Sequence, residues 1–328
     1  MKKKIKIGIL GTANIAIRSM IPAIDALSSH FQLYAIASRS ESQKVLSKLD
    51  SLICNKYFGY EYLIEDKEVD AVYIPLPNSL HAEWIERSLK SGKHVFVEKS
   101  LGCSLSEVVY LTELAKKNNL ILLENFQFRF HPQLQLVKDL INSGKIGELR
   151  CLRASFGFPP FSDPANIRYN KILGGGALLD ACAYTTKISQ ILLGFDLQVK
   201  ASTLSQPEDS EVDIWGGAYL QSNSTCVFAE LAFGFDNFYQ CGIEVWGNEG
   251  RLITNRLFTA PSNLEPEIIV ENKEGNFIVK AEAANHFEKI LIHFYNLIIG
   301  KENIEIEHIQ NIDQSRLLNS IKELANVK

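Results

Sequence analysis

Between Ile5 and Phe126 the chain switches repeatedly between short apolar runs and stretches of helical period, and this alternation constrains its fold more than any other feature. The runs are IKIGIL from Ile5, LYAIAS from Leu33, DAVYIPLP from Asp70, KHVFVEKS from Lys93 and LILLENF from Leu120. Between the first two, Ile17, Met20, Ile21, Ile24 and Leu27 recur at helical spacing. ESQKVLSKL from Glu41 reads as a helix, and a short extended segment follows around Tyr57 and Phe58. SLHAEWIERSLKSG ends at Gly92, a common residue just past a helix. SLSEVVYLTELAKKNN from Ser104 gives one more helix. Strands joined through helices of this length require right-handed crossovers and a parallel sheet covered on both faces. A doubly wound, nucleotide-binding α/β domain is expected over residues 1–125.

Beyond that point the pattern lengthens and alternates in twos, as in ELRCLRASFGF from Glu148 and STCVFAELAFGF from Ser224. Such runs predict half-solvated antiparallel strands. Residues 126–328 are therefore expected to form an α+β domain, with one large, mostly antiparallel sheet and helices near 177–193, 284–299 and 311–326. The net charge of -4 gives no reason to expect nucleic acid or an anionic membrane as partner, and no apolar run approaches the roughly 20 residues of a membrane span. Cys54, Cys103, Cys151, Cys182, Cys226 and Cys241 form no C-x-x-C pair and read as reduced thiols in the cytoplasm. The histidines lack metal-ligand spacing, so no metal is expected.

The turn after the first strand, LGTANIA, varies a dinucleotide-binding fingerprint. Gly11 takes its first glycine place, Ala13 the second and Ala16 the third. The amides of Thr12, Ala13, Asn14 and Ile15 are expected to face a pyrophosphate, favoured there by the helix dipole. The second strand ends in Ser38 and Arg39, with no carboxylate before Glu41. A hydroxyl and a guanidinium suit a 2′-phosphate, which favours NADP(H) over NAD(H). An ordinary surface arginine is the plainer reading.

Three further segments, YIPLPNSLH (73–81), HVFVEKS (94–100) and LGGGALLDACAY (173–184), follow that turn in order. Together with ENFQFRFHP (124–132), the set resembles the glucose–fructose oxidoreductase/inositol dehydrogenase family, Gfo/Idh/MocA, over essentially the whole chain. The resemblance implies a Rossmann domain and an oxidoreductase. Glu98 and Lys99 match the family's E-K-P, with Ser100 in place of proline. Glu98 is implied to position the cofactor, and Lys99 to stand beside nicotinamide and substrate. Independently, Lys99 closes an apolar strand, where ligands bind in open α/β sheets, and its ammonium can stabilise a developing alkoxide. Pro75, Leu76, Asn78 and His81 are implied to line the nicotinamide side.

In the second signature Gly174, Gly175 and Gly176 precede a helix, Asp180 matches the acid, Cys182 replaces the usual glycine and Tyr184 replaces histidine. Asp180 and Tyr184 are expected to share one helix face, with Lys187 three residues on. The glycines are expected to let substrate approach the backbone. A phenol, ordinarily of pKa about 10, becomes a useful acid when a cation such as Lys99 lowers it. Lys99, Tyr184 and Asp180 are thus the expected catalytic residues, with Asp180 orienting the sugar or Lys99. The tyrosine form resembles the ketoreductases of nucleotide-linked deoxysugars, which makes Arg129, Arg168 and Tyr169, beside Asp180 and Tyr184, candidates for gripping substrate. Arg129 and His131 equally suit bracing the domains. The implied substrate is a sugar or nucleotide-sugar, and the implied assembly a homodimer or homotetramer through the C-terminal sheet. A free-sugar or dihydrodiol dehydrogenase and a non-catalytic nicotinamide-binding regulator fit the same residues.

Overall fold

A computed structural model describes residues 4–39 and 55–327. Two compact units emerge, one from residues up to Asn125 with Phe287–Ile312, the other from Phe126–His286 with the residues from Asp313 on.

In the first unit β1 (Ile5–Leu10), β2 (Phe31–Ser38), β3 (Asn55–Phe58), β4 (Ala71–Ile74), β5 (His94–Glu98) and β6 (Leu122–Asn125) form one sheet in the order β3-β2-β1-β4-β5-β6. Every pairing is parallel. The order reverses between β1 and β4, and in open α/β sheets ligands bind where the carboxyl ends of two such strands diverge. Ile7, Ile9, Val72, Ile74, Val95 and Val97 are buried on both faces, which is why these strands read as unbroken apolar runs. The helix Leu105–Asn118 starts in a capping box: Glu107 N donates to Ser104 Oγ at 3.3 Å, and Ser104 N donates to Glu107 Oε2 at 3.1 Å. Such a cap stabilises a helix by about 1 kcal/mol. The helix expected over 41–49 lies outside the described residues.

A single boundary after residue 125 does not describe the chain, because residues 287–312 return to the first unit. In the helix His286–Ile298, Phe294 stacks on Phe96 of β5 with ring centroids 5.4 Å apart, and Tyr295 meets Phe31 of β2 edge-on at 5.8 Å. A parallel sheet needs apolar cover on both faces, and this helix supplies part of one.

The second unit holds β7 (Leu149–Gly157), β8 (Leu197–Ser205), β9 (Trp215–Ser222), β10 (Phe228–Gly234), β11 (Gln240–Gly247), β12 (Gly250–Asn255), β13 (Glu267–Asn272), β14 (Gly275–Lys280) and β15 (Ala325–Val327). Their order is β14-β13-β12-β11-β7-β10-β9-β8-β15. All pairs are antiparallel except β7–β10 and β8–β15. Alternate residues explain the two faces. Leu152, Ala154 and Phe156 of β7, with Leu231 and Phe233 of β10 and Ile243 and Val245 of β11, join one buried cluster with Ile188, Leu317 and Ile321 from the helices. Between them, Arg153 Nε pairs with Glu230 at 2.6 Å, and Arg251 pairs with Glu244 at 2.9 Å and Glu271 at 2.6 Å. Cross-strand ion pairs like these contribute little stability each but fit only one register. The last helix, Glu305–Leu324, begins six residues before its expected start. No described helix is long and apolar enough to cross a membrane.

Candidate active site

At the carboxyl end of β1, Gly11 has φ +107°, and its amide donates to Ala37 O at 2.8 Å. A Cβ at this residue would also come 3.0 Å from Leu76 Cδ2, so the tight turn requires glycine. The helix starts at Asn14, and Thr12, Ala13, Asn14 and Ile15 all keep solvent exposure. The first amides of a helix have no intrahelical acceptor and carry its positive end, so this turn offers donors to an anion.

Ser38 is buried at the end of β2, and Arg39 beyond it is exposed. Burial raises the pKa of the Tyr60 phenol, partly offset by the charge of Arg39 and a hydrogen bond with it. The Tyr60 hydroxyl also lies 3.6 Å from the position a Gly11 Cβ would take, so the phenol that meets Arg39 stands close to the turn. An exposed guanidinium next to a phosphate-binding turn fits a dinucleotide that carries a 2′-phosphate. Glu41 lies outside the described residues.

The ends of β4, β5 and β6 are tied together around Lys99. Glu98 Oε1 accepts from Asn125 Nδ2 at 2.6 Å and from the Tyr73 hydroxyl. Leu101 N donates to the buried carboxylate of Glu124 at 2.8 Å. The Lys99–Ser100 peptide is cis. His81 plays another part than the one expected. Its ring is fully buried, with Nδ1 2.7 Å from Ser100 O and Nε2 2.8 Å from Leu76 O. It therefore fastens the loop after β4 to the loop after β5 and presents no surface to a ligand. Burial pushes its pKa down to about 4, against the pull of the two carbonyls and in the same direction as the Lys99 ammonium. The ring is neutral at pH 7 and carries a single N–H, so it donates to one of the two carbonyls and packs against the other. Pro75 and Leu76 are buried, while Asn78 is half-buried as the first residue of the helix Asn78–Lys90.

In the second unit a π turn, Leu178–Cys182, carries Asp180 and runs into the α-helix Ala183–Leu193, whose second residue is Tyr184. The turn is wider than an α-helical one, and π turns are frequent at functional sites. Asp180 Oδ2 accepts from Arg168 Nε at 2.7 Å, and the Arg168 guanidinium lies 4.9 Å from the Phe161 ring centroid. Tyr169 accepts from Phe161 N at 3.0 Å through its hydroxyl, while Arg129 lies over the Phe130 ring. Tyr184 is buried among Phe156, Phe258, Phe126 and Phe128, with centroids 4.9, 5.6, 5.7 and 5.9 Å away. Each such aromatic pair contributes about 0.5–1.5 kcal/mol beyond its buried area, so the phenol ring is held firmly. Lys187 is buried too, donating to Gln190 Oε1 at 3.0 Å and lying 4.9 Å from the Phe126 centroid.

The glycines before this turn serve the chain itself. Gly175 N donates to Asn170 O and Gly176 N to Arg168 O, both at 2.9 Å. A Cβ on Gly175 would meet Arg168 O at 2.4 Å, and one on Gly176 would meet Asp213 Oδ1 at 2.4 Å. The space expected for substrate at these two residues is filled by backbone and by Asp213. Asp213, Glu124, Asn125, Tyr73 and Tyr60 are not among the site residues expected from the sequence. The parallel pairing of Glu98 with Asn125 carries a usable signal once strand order is assumed. Asp213 is 35 residues from its partner and carries none. Among the described residues no group of three or more His, Cys, Asp or Glu could hold a metal ion.

A parallel sheet in this order, with an anion-binding turn at its switch point, defines a dinucleotide-binding protein of the Rossmann type. Two family models match the chain, "Oxidoreductase family, NAD-binding Rossmann fold" over residues 5–126 and "GFO/IDH/MocA C-terminal domain" over residues 134–253. The chain belongs to the Gfo/Idh/MocA family of oxidoreductases. It is 40% identical over 273 residues, 83% of this chain and 79% of the relative, to a dTDP-3,4-didehydro-2,6-dideoxy-alpha-D-glucose 3-reductase of Streptomyces violaceoruber. It is 35% identical over 320 residues to the enzyme of that name from Actinomadura kijaniata, 97% of this chain and 95% of the relative. The crystal structure of KijD10, a 3-ketoreductase from Actinomadura kijaniata in complex with NADP and TDP-benzene, superposes with a TM-score of 0.94 at 34% identity, covering 99% of each chain.

Proposed function

We propose that the protein is an NADP(H)-dependent ketoreductase that reduces a ring ketone of a nucleotide-linked deoxysugar to a secondary alcohol. The observation that carries this reading is the likeness, over 99% of both chains, to a 3-ketoreductase solved with NADP and TDP-benzene. Arg39, hydrogen-bonded to Tyr60 close to the Gly11 turn, supports NADP(H) over NAD(H).

Bound NADPH supplies the hydride. Lys99 donates a hydrogen bond to the ketone oxygen and stabilises negative charge as it develops there. Tyr184 gives that oxygen its proton, completing the alcohol, and the rings around it restrict where the phenol can point. Asp180 fixes Arg168 through Nε, and Arg168 grips substrate phosphate together with Tyr169 and Arg129. Positioning and proton transfer account for the reaction without a metal.

Copies of the chain are proposed to pair through the charged outer face of the large sheet, where Arg153 lies 3.9 Å over the Trp246 ring. Trp246 is 37% exposed, and such an apolar residue in a charged ladder suits a buried interface. The free thiols of Cys103, Cys151, Cys182, Cys226 and Cys241 support a cytoplasmic setting.

The test follows NADPH consumption with one 3-keto-deoxysugar offered free and linked to a nucleoside diphosphate. Turnover of the linked form alone is expected. Equal or better turnover of the free sugar would move the protein to the free-sugar dehydrogenases. NADPH binding without turnover of either would favour the regulator.

A further inference from the structure

The turn that carries Asp180 and Tyr184 is held from outside its own sequence. Leu178 N, at the start of the π turn, donates to Asp213 Oδ2 at 2.6 Å, and Ala177 N donates to the backbone O of Asp213 at 2.9 Å. Asp213 thus receives two of the amides that a helix start leaves without intrahelical acceptors. The cap is itself anchored in the large sheet. Its neighbour Ile214 donates from N to Ser205 O at 2.9 Å and accepts from Phe235 N at 2.8 Å, while Val212 and Ile214 are buried in the core cluster.

On the other side of the carboxylate stands Gly176, at φ +110°. Any Cβ there would come 2.4 Å from Asp213 Oδ1, whereas Gly176 N is already fixed on Arg168 O at 2.9 Å. Arg168 then returns through its side chain to Asp180 at 2.7 Å. The turn is therefore gripped between a carboxylate from the sheet and the backbone of the residue that also holds Asp180. An asparagine could accept from the same amide, but alanine could not.

We propose that Asp213 is a positioning residue for the reduction, setting the turn that places Asp180 and Tyr184 from an anchor in the large sheet. This inference rests on the function proposed above. Burial pushes the Asp213 carboxyl up, while the amide of Leu178 and the charge of Lys322 favour its anion. The role assigned here is acceptance of hydrogen bonds, which survives loss of the charge.

The experiment compares Asp213→Ala, Asp213→Asn and Gly176→Ala with the unaltered protein. Hydrogen exchange of the peptide spanning 174–186 reports the turn. The kcat and KM for the nucleotide-linked keto-sugar, with the deuterium isotope effect from [4-²H]NADPH, report the chemistry. Asp213→Ala is expected to lose protection in that peptide and to lower kcat at least tenfold, with a larger isotope effect and unchanged NADPH affinity. Asp213→Asn is expected to stay within about threefold of the unaltered protein on every readout, and Gly176→Ala to follow Asp213→Ala. Full protection and kcat within twofold in Asp213→Ala would overturn the assignment, as would a kcat loss with an unchanged isotope effect. If Asp213→Ala does not fold, Gly176→Ala decides by the same two readouts. Exchange does not require turnover, so an inactive unaltered protein would sink the proposed function while exchange still decided the role of Asp213.

Discussion

Arg168 Nε donates to Asp180 Oδ2 at 2.7 Å, joining a residue assigned to substrate grip with one assigned to catalysis. The two therefore act as a pair. Loss of a charge-assisted hydrogen bond costs about 1.5–3 kcal/mol, or roughly ten- to a hundredfold in kcat/KM, where it acts in the reaction. Arg168→Ala and Asp180→Asn are each expected to show a loss of that order with the nucleotide-linked sugar. Because each disables the same pair, the double variant is expected to keep more activity than the product of the two losses allows. Steady-state kinetics on the four proteins measure this, and simple multiplication of the losses would contradict the pairing.

Arg39 makes a separate prediction about cofactor choice. If its guanidinium takes the 2′-phosphate, Arg39→Ala lowers kcat/KM for NADPH by about tenfold or more and leaves that for NADH within about twofold. The ratio of the two constants is the readout. An equal fall for both cofactors would mean that Arg39 only braces Tyr60 and the turn.

The buried ring of His81 ties stability to pH. Its pKa falls from 6.5 to about 4 through burial, so the unfolded chain binds a proton between those values that the folded chain refuses. The stability this ring contributes is therefore complete above about pH 6.5 and is lost as pH falls through about 4, a change of about 3 kcal/mol. His286, pushed to about 4 mainly by burial and further by His131, adds to the same slope. Urea denaturation at pH 7 and pH 4.5 tests this. His81→Gln is expected to be less stable at pH 7 but to lose less on acidification, whereas the same acid loss in both proteins would contradict the assignment.

The strands of the first unit are legible in the sequence because burial on both faces leaves apolar runs such as AVYI from Ala71 and HVFVE from His94 with little else to become. Those of the large sheet are legible because Arg153, Glu230 and Glu244 fall between buried neighbours at every second place. The return of Phe294 to the first unit is not, since an amphipathic helix shows that it covers a sheet without showing which one. The π turn at Leu178–Cys182 is hidden because a few local residues suit α and π turns alike. The glycines announce a special backbone at Gly175 and Gly176, but only the fold reveals that Arg168 and Asp213 occupy the space. His81 has the opposite fault. The resemblance implies that it lines the nicotinamide side, but its burial between Leu76 O and Ser100 O turns an expected ligand contact into a fastening between loops.

Hydride delivery to the sugar is the central claim, and isotope tracing tests it most directly. The nucleotide-linked 3-keto-deoxysugar is incubated with [4-²H]NADPH of each face, and the product is read by mass spectrometry and proton NMR. One deuterium per product molecule is expected, at the former carbonyl carbon and from one face only, with formation slowed about 10²–10⁴-fold in Tyr184→Phe. Product without deuterium at that carbon, or full activity in Tyr184→Phe, would contradict it.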